Sequence, residues 1–168
     1  GVSGTILSPF GGAGEALIYF QADDTLKMYD ASAGRFIYVT TQKFRDPTAW
    51  LHFPFICDTT LATAADRFQA WFNGIRITDF STSTTQTQNT DTAYFGSTAH
   101  WIGRYPRSNN HRFSGYMSDI HGIDGQALTP TDFGKFDKNG RWQPIKVSGL
   151  TYGTNGFHLD FSNVADLG

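Results

Sequence analysis

The chain has 168 residues, enough for one domain with a sizeable core and too few for two full catalytic domains. Thirteen basic residues stand against 15 acidic ones, and charged residues make up 17% against a usual ~25%, so bulk charge offers no nucleic-acid surface. Aromatics reach 15%, and no apolar run approaches the ~20 residues of a spanning helix, which leaves a β-rich chain with no membrane insertion expected. Cys57 is the only cysteine, so no internal disulfide can form, and there is no Asn-x-Ser/Thr sequon. A prokaryotic or viral source fits both. The start at Gly1, with no basic or apolar leader pattern, suggests processing or a piece of a longer chain.

Along the chain, apolar residues recur with period two or in short blocks, and helical periodicity is nearly absent. Gly11-Gly12-Ala13-Gly14 precedes a strand pattern and not a helix, so it reads as a turn and not a phosphate cradle. Strands are expected over Ala16 to Gln21, Leu26 to Tyr29 and Arg35 to Thr41, with Asp23-Asp24 turning between the first two. Ahead of them only Thr5 to Leu7 is available as strand. Trp50 to Cys57 follows, but Pro54 cannot donate a ladder hydrogen bond, so that segment should be an edge strand, bulged or broken. Arg67 to Phe72 and Ile75 to Thr78 flank Asn73-Gly74, two residues that tolerate the positive φ of a type I′ turn, which predicts an antiparallel hairpin. In its first strand, Phe68, Ala70 and Phe72 share one face, with Arg67, Gln69 and Trp71 on the other.

Residues 78 to 92 are Thr, Ser and Gln-rich with Phe80 as an anchor, and are read as a long surface loop, with extended strand as the alternative. Further strands are expected at Trp101 to Tyr105, Phe113 to Ile123 and Phe157 to Phe161. Thr129-Pro130 marks a single helical turn, with threonine as cap and proline at the first helical position. Nine strands without a dividing linker predict a single all-β domain over residues 1 to 168, as a sandwich or barrel.

Chemistry motifs are sparse. Glu15 is the only glutamate, and no same-face acid pair of the kind a glycosidase needs is visible. No Gly-x-Ser-x-Gly elbow supports a nucleophilic serine. Asp119 with His121, and His158 with Asp160, share strand faces at i, i+2 spacing and would converge only if their strands were neighbours. Without a His-Glu-x-x-His run or a cysteine pair beside them they read as polar outer faces, so no metal and no cofactor is expected. The segment from Trp101 to Phe113 is the richest in binding chemistry. Its Arg104, Tyr105, Asn109, Asn110 and His111 combine an aromatic face with donors suited to sugar hydroxyls, and they are the expected ligand-binding residues.

Several spacings form a larger pattern. They are Asp46-x3-Trp50-x-His52-x5-Asp58, then Arg67-x3-Trp71-Phe72-Asn73-Gly74, then Ile102-Gly103, then Phe113-x-Gly115-x-Met117-x-Asp119-Ile120, then Ala127-Leu128. Together they resemble a concanavalin A-like jelly roll of the laminin-G and pentraxin kind, over about half of the chain. The resemblance implies a two-sheet antiparallel jelly-roll sandwich. A narrower likeness, over Ile123 to Asp137, Gly140 to Pro144 and Tyr152 to Phe161, is to laminin-G-like domains in structural proteins of tailed bacteriophages.

Two departures bear on function. Pentraxin-type relatives bind calcium through acidic and amide residues after the Ile-Gly pair; here Arg104, Tyr105 and Pro106 follow it, so no calcium is expected at that loop. The laminarinase-like branch uses Glu-x-Asp-x-x-Glu, which a chain with one glutamate does not contain, so its hydrolase activity is not expected. The resemblance therefore implies a non-enzymatic virion module, on a phage fibre, knob or decoration, that binds a surface glycan or host receptor. Its implied partners are other virion proteins, a host surface glycan and further copies of itself as a homo-oligomer, with no nucleic acid. The alternative is a purely structural capsid or tail cement protein whose loops, with Trp71, Trp101 and Tyr105, are covered by neighbouring subunits. A polysaccharide depolymerase is a more distant third reading.

Overall fold

The computed structural model describes residues 3–11, 14–32, 35–107 and 111–162. The protein is all-β, built of antiparallel sheets. Strands β1 (Gly4–Gly11), β2 (Gly14–Phe20), β3 (Thr25–Asp30) and β4 (Phe36–Lys43) form a meander, extended by β8 (Phe80–Thr84) at one edge and β9 (His100–Ile102) at the other. A second sheet holds β5 (Phe55–Cys57), β6 (Phe68–Phe72) and β7 (Ile75–Ile77). Two small ribbons pair β10 (Ile120–Gly122) with β13 (Phe157–Leu159), and β11 (Gly134–Phe136) with β12 (Trp142–Pro144). Among the described residues no helix is long and apolar enough to cross a membrane.

The alternation read in the sequence sets the core. Leu26 and Met28 of β3, and Phe36 and Tyr38 of β4, point to one side and pack with Ile18 of β2. They meet Phe68 and Ala70 of β6 and Ile77 of β7, so the two sheets bury one shared apolar layer face to face, as in a β-sandwich. Where β3 and β4 slip out of register, the Leu26 N–H loses its ladder partner and donates instead to Thr40 Oγ1 (3.0 Å), whose hydroxyl donates to the Gln42 carbonyl (2.8 Å).

The hairpin expected at Asn73-Gly74 is present, with φ of 46° and 78° as a type I′ turn requires. Gly74 is required for a second reason: a Cβ there would sit 2.2 Å from the Trp142 ring. Pro54 lies just before β5 at the edge of its sheet, and the carbonyls of Pro54 and His52 still accept from Trp71 N and Asn73 N (both 2.9 Å). The turn at Pro130–Asp132 is capped by Asp132, whose Oδ2 accepts from the Thr129 N–H (2.7 Å) and hydroxyl (2.9 Å).

The structure departs from or adds to the sequence reading in four places. The segment before β2 is a full strand, β1, inserted between β2 and β9. Within residues 78 to 92 the extended-strand alternative holds for Phe80–Thr84, which pair with β4; Phe80 packs on Tyr38 (5.0 Å), and Gln86 is buried, so the surface-loop reading fails there. The strand expected over Phe113 to Ile123 shrinks to Ile120–Gly122, because Asp119 adopts a left-handed φ of 52° that extended pairing does not permit. The β11–β12 hairpin was not foreseen; its turn is held by Asp137 Oδ1, which accepts from Asn139 N (2.8 Å) and Arg141 N (2.9 Å).

Candidate functional site

The loop expected to bind ligand is tied down from within. Glu15 of β2 accepts from the Tyr29 hydroxyl and from Arg107 Nη1 (3.0 Å), and Tyr105 also bonds to it. Burial raises the Glu15 pKa, but the bonds from Tyr29, Tyr105 and Arg107 outweigh it and hold the carboxyl below its ordinary value. Tyr105 is buried and meets Phe10 edge-on (6.1 Å), so it presents no open ring face to a sugar. Arg104 lies over the Trp101 ring (5.2 Å). His111 packs against Tyr19 (5.9 Å) and Tyr105 (6.0 Å). Asn109 and Asn110 lie outside the described residues.

The large concavity is elsewhere. A cleft of about 1160 Å³ runs between the segment 44–60 and the segment 113–128. Its inner wall is aromatic, with Phe44, Phe53, Phe55 and Tyr94, while Asp46, Asp58, Asp124 and Gln126 supply polar groups. Two aromatic rings of the lining stand out in solvent: Trp50 is 69% exposed and Tyr116 is 88% exposed. Asp124 Oδ2 accepts from Asn155 N (3.1 Å) and Nδ2 (3.3 Å), and the other two carboxylates are held by their own turns. Asp46 Oδ1 accepts from the Thr48 hydroxyl (2.6 Å) and Asp58 Oδ1 from the Thr60 hydroxyl (2.6 Å), leaving a second oxygen on each. In the sequence Trp50 heads one strand pattern and Tyr116 lies inside another, and nothing local marks either as a cleft residue.

His52, in the same lining, accepts from Trp142 Nε1 through Nδ1 (3.0 Å), which anchors the β11–β12 ribbon. His100 is likewise fixed as a neutral ring, with Nδ1 donating to the Thr98 carbonyl (2.8 Å) and Nε2 accepting from Phe95 N (2.8 Å). Burial depresses the pKa of both, so the unfolded chain takes up these protons first as the solution is acidified. Protonation also turns each acceptor nitrogen into a second donor facing an N–H. Stability is therefore expected to fall as pH drops below the ordinary histidine value near 6.5, well before the carboxylates titrate. Thermal unfolding midpoints at pH 7.5 and 5.5, in chelator-treated buffer, check this; an unchanged midpoint would contradict it.

The two His/Asp pairs behave differently from the isolated polar faces that were expected. β10 and β13 are neighbours, with His121 directly opposite His158. The imidazoles stack at 4.1 Å, and Asp119 Oδ1 lies 2.7 Å from His158 Nε2 and 3.2 Å from His121 Nε2. Tyr152 stacks beside them, its hydroxyl 2.8 Å from His121 Nδ1. Burial raises the Asp119 pKa, yet the His158 bond and the charge of His121 prevail and lower it. Asp160, the fourth member expected, turns away to bond Ser162 (3.0 and 2.8 Å). Asp119 and His121 also line the cleft.

Comparison with known proteins found no matching family model, no matching curated protein and no matching solved structure.

Proposed function

We propose that this chain is a non-enzymatic binding module, a jelly roll of the concanavalin A-like kind carried on a phage particle, whose cleft takes a saccharide displayed on a host surface. The observation that carries the reading is the pair of open aromatic rings, Trp50 and Tyr116, on the lining of one cleft beside Asp46, Asp58, Asp124 and Gln126. Sugar rings present C–H faces that stack on aromatic planes and hydroxyls that donate to carboxylate and amide oxygens, so this mixture suits them. Two exposed aromatic rings on one concave lining, with polar groups beside them, are the mixture that binding clefts present. Copies of the module repeated on a particle would turn a weak single-site affinity into firm attachment through effective concentration.

A second reading, the structural cement protein, is favoured by a separate apolar patch. Ile75 and Phe136 are exposed, and Trp142 contacts Phe136 at 5.0 Å and lies against Gly74, the neighbour of Ile75. Such a patch suits contact with another subunit.

The test is titration of the purified chain with host-type oligosaccharides, followed by Trp50→Ala and Tyr116→Ala. Each variant is expected to weaken binding by roughly two- to tenfold, the worth of one stacked aromatic contact. If the oligomer is blank across a glycan array, the saccharide reading fails and the cement reading takes its place.

A further inference from the structure

We propose that Asp119, His121 and His158 form a binding site for one divalent transition-metal ion of the zinc class, a site that does not depend on the saccharide reading. Two imidazoles and a carboxylate each offer one donor atom, and the three donors lie within 4.8 Å of one another. Ligands about 2.0–2.2 Å from a tetrahedral ion stand roughly 3.3 Å apart. The separations from Asp119 Oδ1, 2.7 Å and 3.2 Å, must open slightly, and the two stacked rings, 4.1 Å apart, must tilt so that both nitrogen lone pairs meet at the ion.

The second and independent observation is His121. Its side chain is only 7% exposed, and its Nε2 makes no hydrogen bond although a carboxylate oxygen is 3.2 Å away. If Nε2 carries the proton, a buried donor is misdirected; if it does not, a lone pair faces a carboxylate oxygen. Either state costs free energy in a buried site. An ion between the atoms removes both problems, because it takes the lone pairs of both nitrogens and the charge of the oxygen.

The surroundings fit the same role. Tyr152 Oη, 2.8 Å from His121 Nδ1, can accept that ring N–H and so leave Nε2 free as a ligand, as outer partners of metal-bound histidines do. Asp119 holds a left-handed φ of 52°, an uncommon state for a residue other than glycine, and it is this backbone that places its carboxylate over the two rings. Pairing of β10 with β13 in this register puts the histidines opposite each other, so the geometry is set by rigid elements. The donor set selects the metal class: calcium and magnesium want all-oxygen shells, whereas imidazole with carboxylate suits zinc, cobalt, nickel or copper. Three protein ligands leave a fourth position, and His158 and Asp119 are exposed enough to admit ion and water.

The test is titration of the chelator-treated full chain with zinc chloride against a chromogenic chelator, without saccharide. One ion per chain is expected. His158→Ala should abolish that uptake, Tyr152→Phe should weaken it by roughly ten- to hundredfold, and Asp160→Asn, at the carboxylate that bonds Ser162 instead, should leave the one-ion stoichiometry intact. Zinc should also raise the thermal midpoint of the wild type and leave that of His158→Ala unmoved. If the variants do not fold, cobalt decides on the wild type: intense visible bands of a four-coordinate ion support the site, and the weak spectrum of hydrated cobalt overturns it. Equal uptake by wild type and His158→Ala, or none by folded wild type, also overturns it.

Discussion

Phe36→Ala is expected to destabilise the protein by about 3–5 kcal/mol, the cost of emptying a fully buried aromatic position. Phe36 opens β4, has no solvent exposure, and packs on Phe68 of β6 at 4.7 Å, Tyr38 at 5.9 Å and Tyr94 at 6.1 Å. It therefore joins the six-stranded sheet to the three-stranded sheet and to the segment that carries Tyr94. Removing it strips contacts from both sheets at once, and the strand pairing on each side leaves little room to collapse into the space. Against a usual net stability of ~5–15 kcal/mol, this is a large share. Urea unfolding of wild type and variant measures it, with Tyr116→Ala as the control, because a ring 88% exposed should change stability by less than about 0.5 kcal/mol. A Phe36→Ala loss under about 1 kcal/mol would mean that the two sheets do not share this core.

The strands around Phe36 are those that the sequence announces best. Leu26, Met28, Phe36 and Tyr38 alternate with polar or half-buried neighbours, and Asn73-Gly74 names its own turn. The strands that escaped have physical reasons to do so. β1 carries Pro9 and buries Thr5 and Ser8, so its inner face does not read as apolar. β8 is an exposed edge of alternating serine and threonine, with no apolar face to show beyond Phe80. In the opposite direction, the mixed apolar and polar run from Phe113 to Ile123 reads as one long strand, but the left-handed Asp119 stops it.

The candidate sites divide along the same line. Residue types in the loop after Trp101 are those of a saccharide site, yet Tyr105 is buried against Phe10 and Arg107 is paired with Glu15, some ninety positions earlier in the chain. Local composition carries no record of that contact. Asp119 and His121 declare a shared side at i, i+2 spacing, and so does His158 within its own strand. Their convergence depends on β10 pairing with β13, a register that no local pattern specifies. Trp50 and Tyr116 share a cleft for the same non-local reason.

Arg67→Met is expected to cost about 3–5 kcal/mol and to loosen one wall of the cleft. Arg67 is buried at the entry to β6, and its guanidinium donates to three backbone carbonyls: Leu61 through Nε (2.7 Å), Gln86 through Nη1 (2.9 Å) and Ala62 through Nη2 (2.9 Å). Hydrogen bonds from a charged donor contribute about 1.5–3 kcal/mol each, and methionine keeps the apolar stem while leaving all three carbonyls without their partner. The desolvation of the guanidinium is recovered when it is removed, which keeps the net loss below the sum of the three bonds. Lysine restores the charge but not the planar fork, so Arg67→Lys should fall between the two. The effect should spread along the chain in a defined way. The carbonyls of Thr59 and Thr60 accept from Asn89 N (2.9 Å) and Gln88 Nε2 (3.0 Å), so Arg67 and these two bonds clamp residues 58–62 to residues 86–89. Asp58, Thr59 and Thr60 line the cleft. Hydrogen exchange in Arg67→Met should therefore accelerate at 59–62 and 86–89 and stay slow in β2 to β4. Urea unfolding that finds less than about 1 kcal/mol, or exchange that quickens uniformly across the sheets, would remove Arg67 from this role.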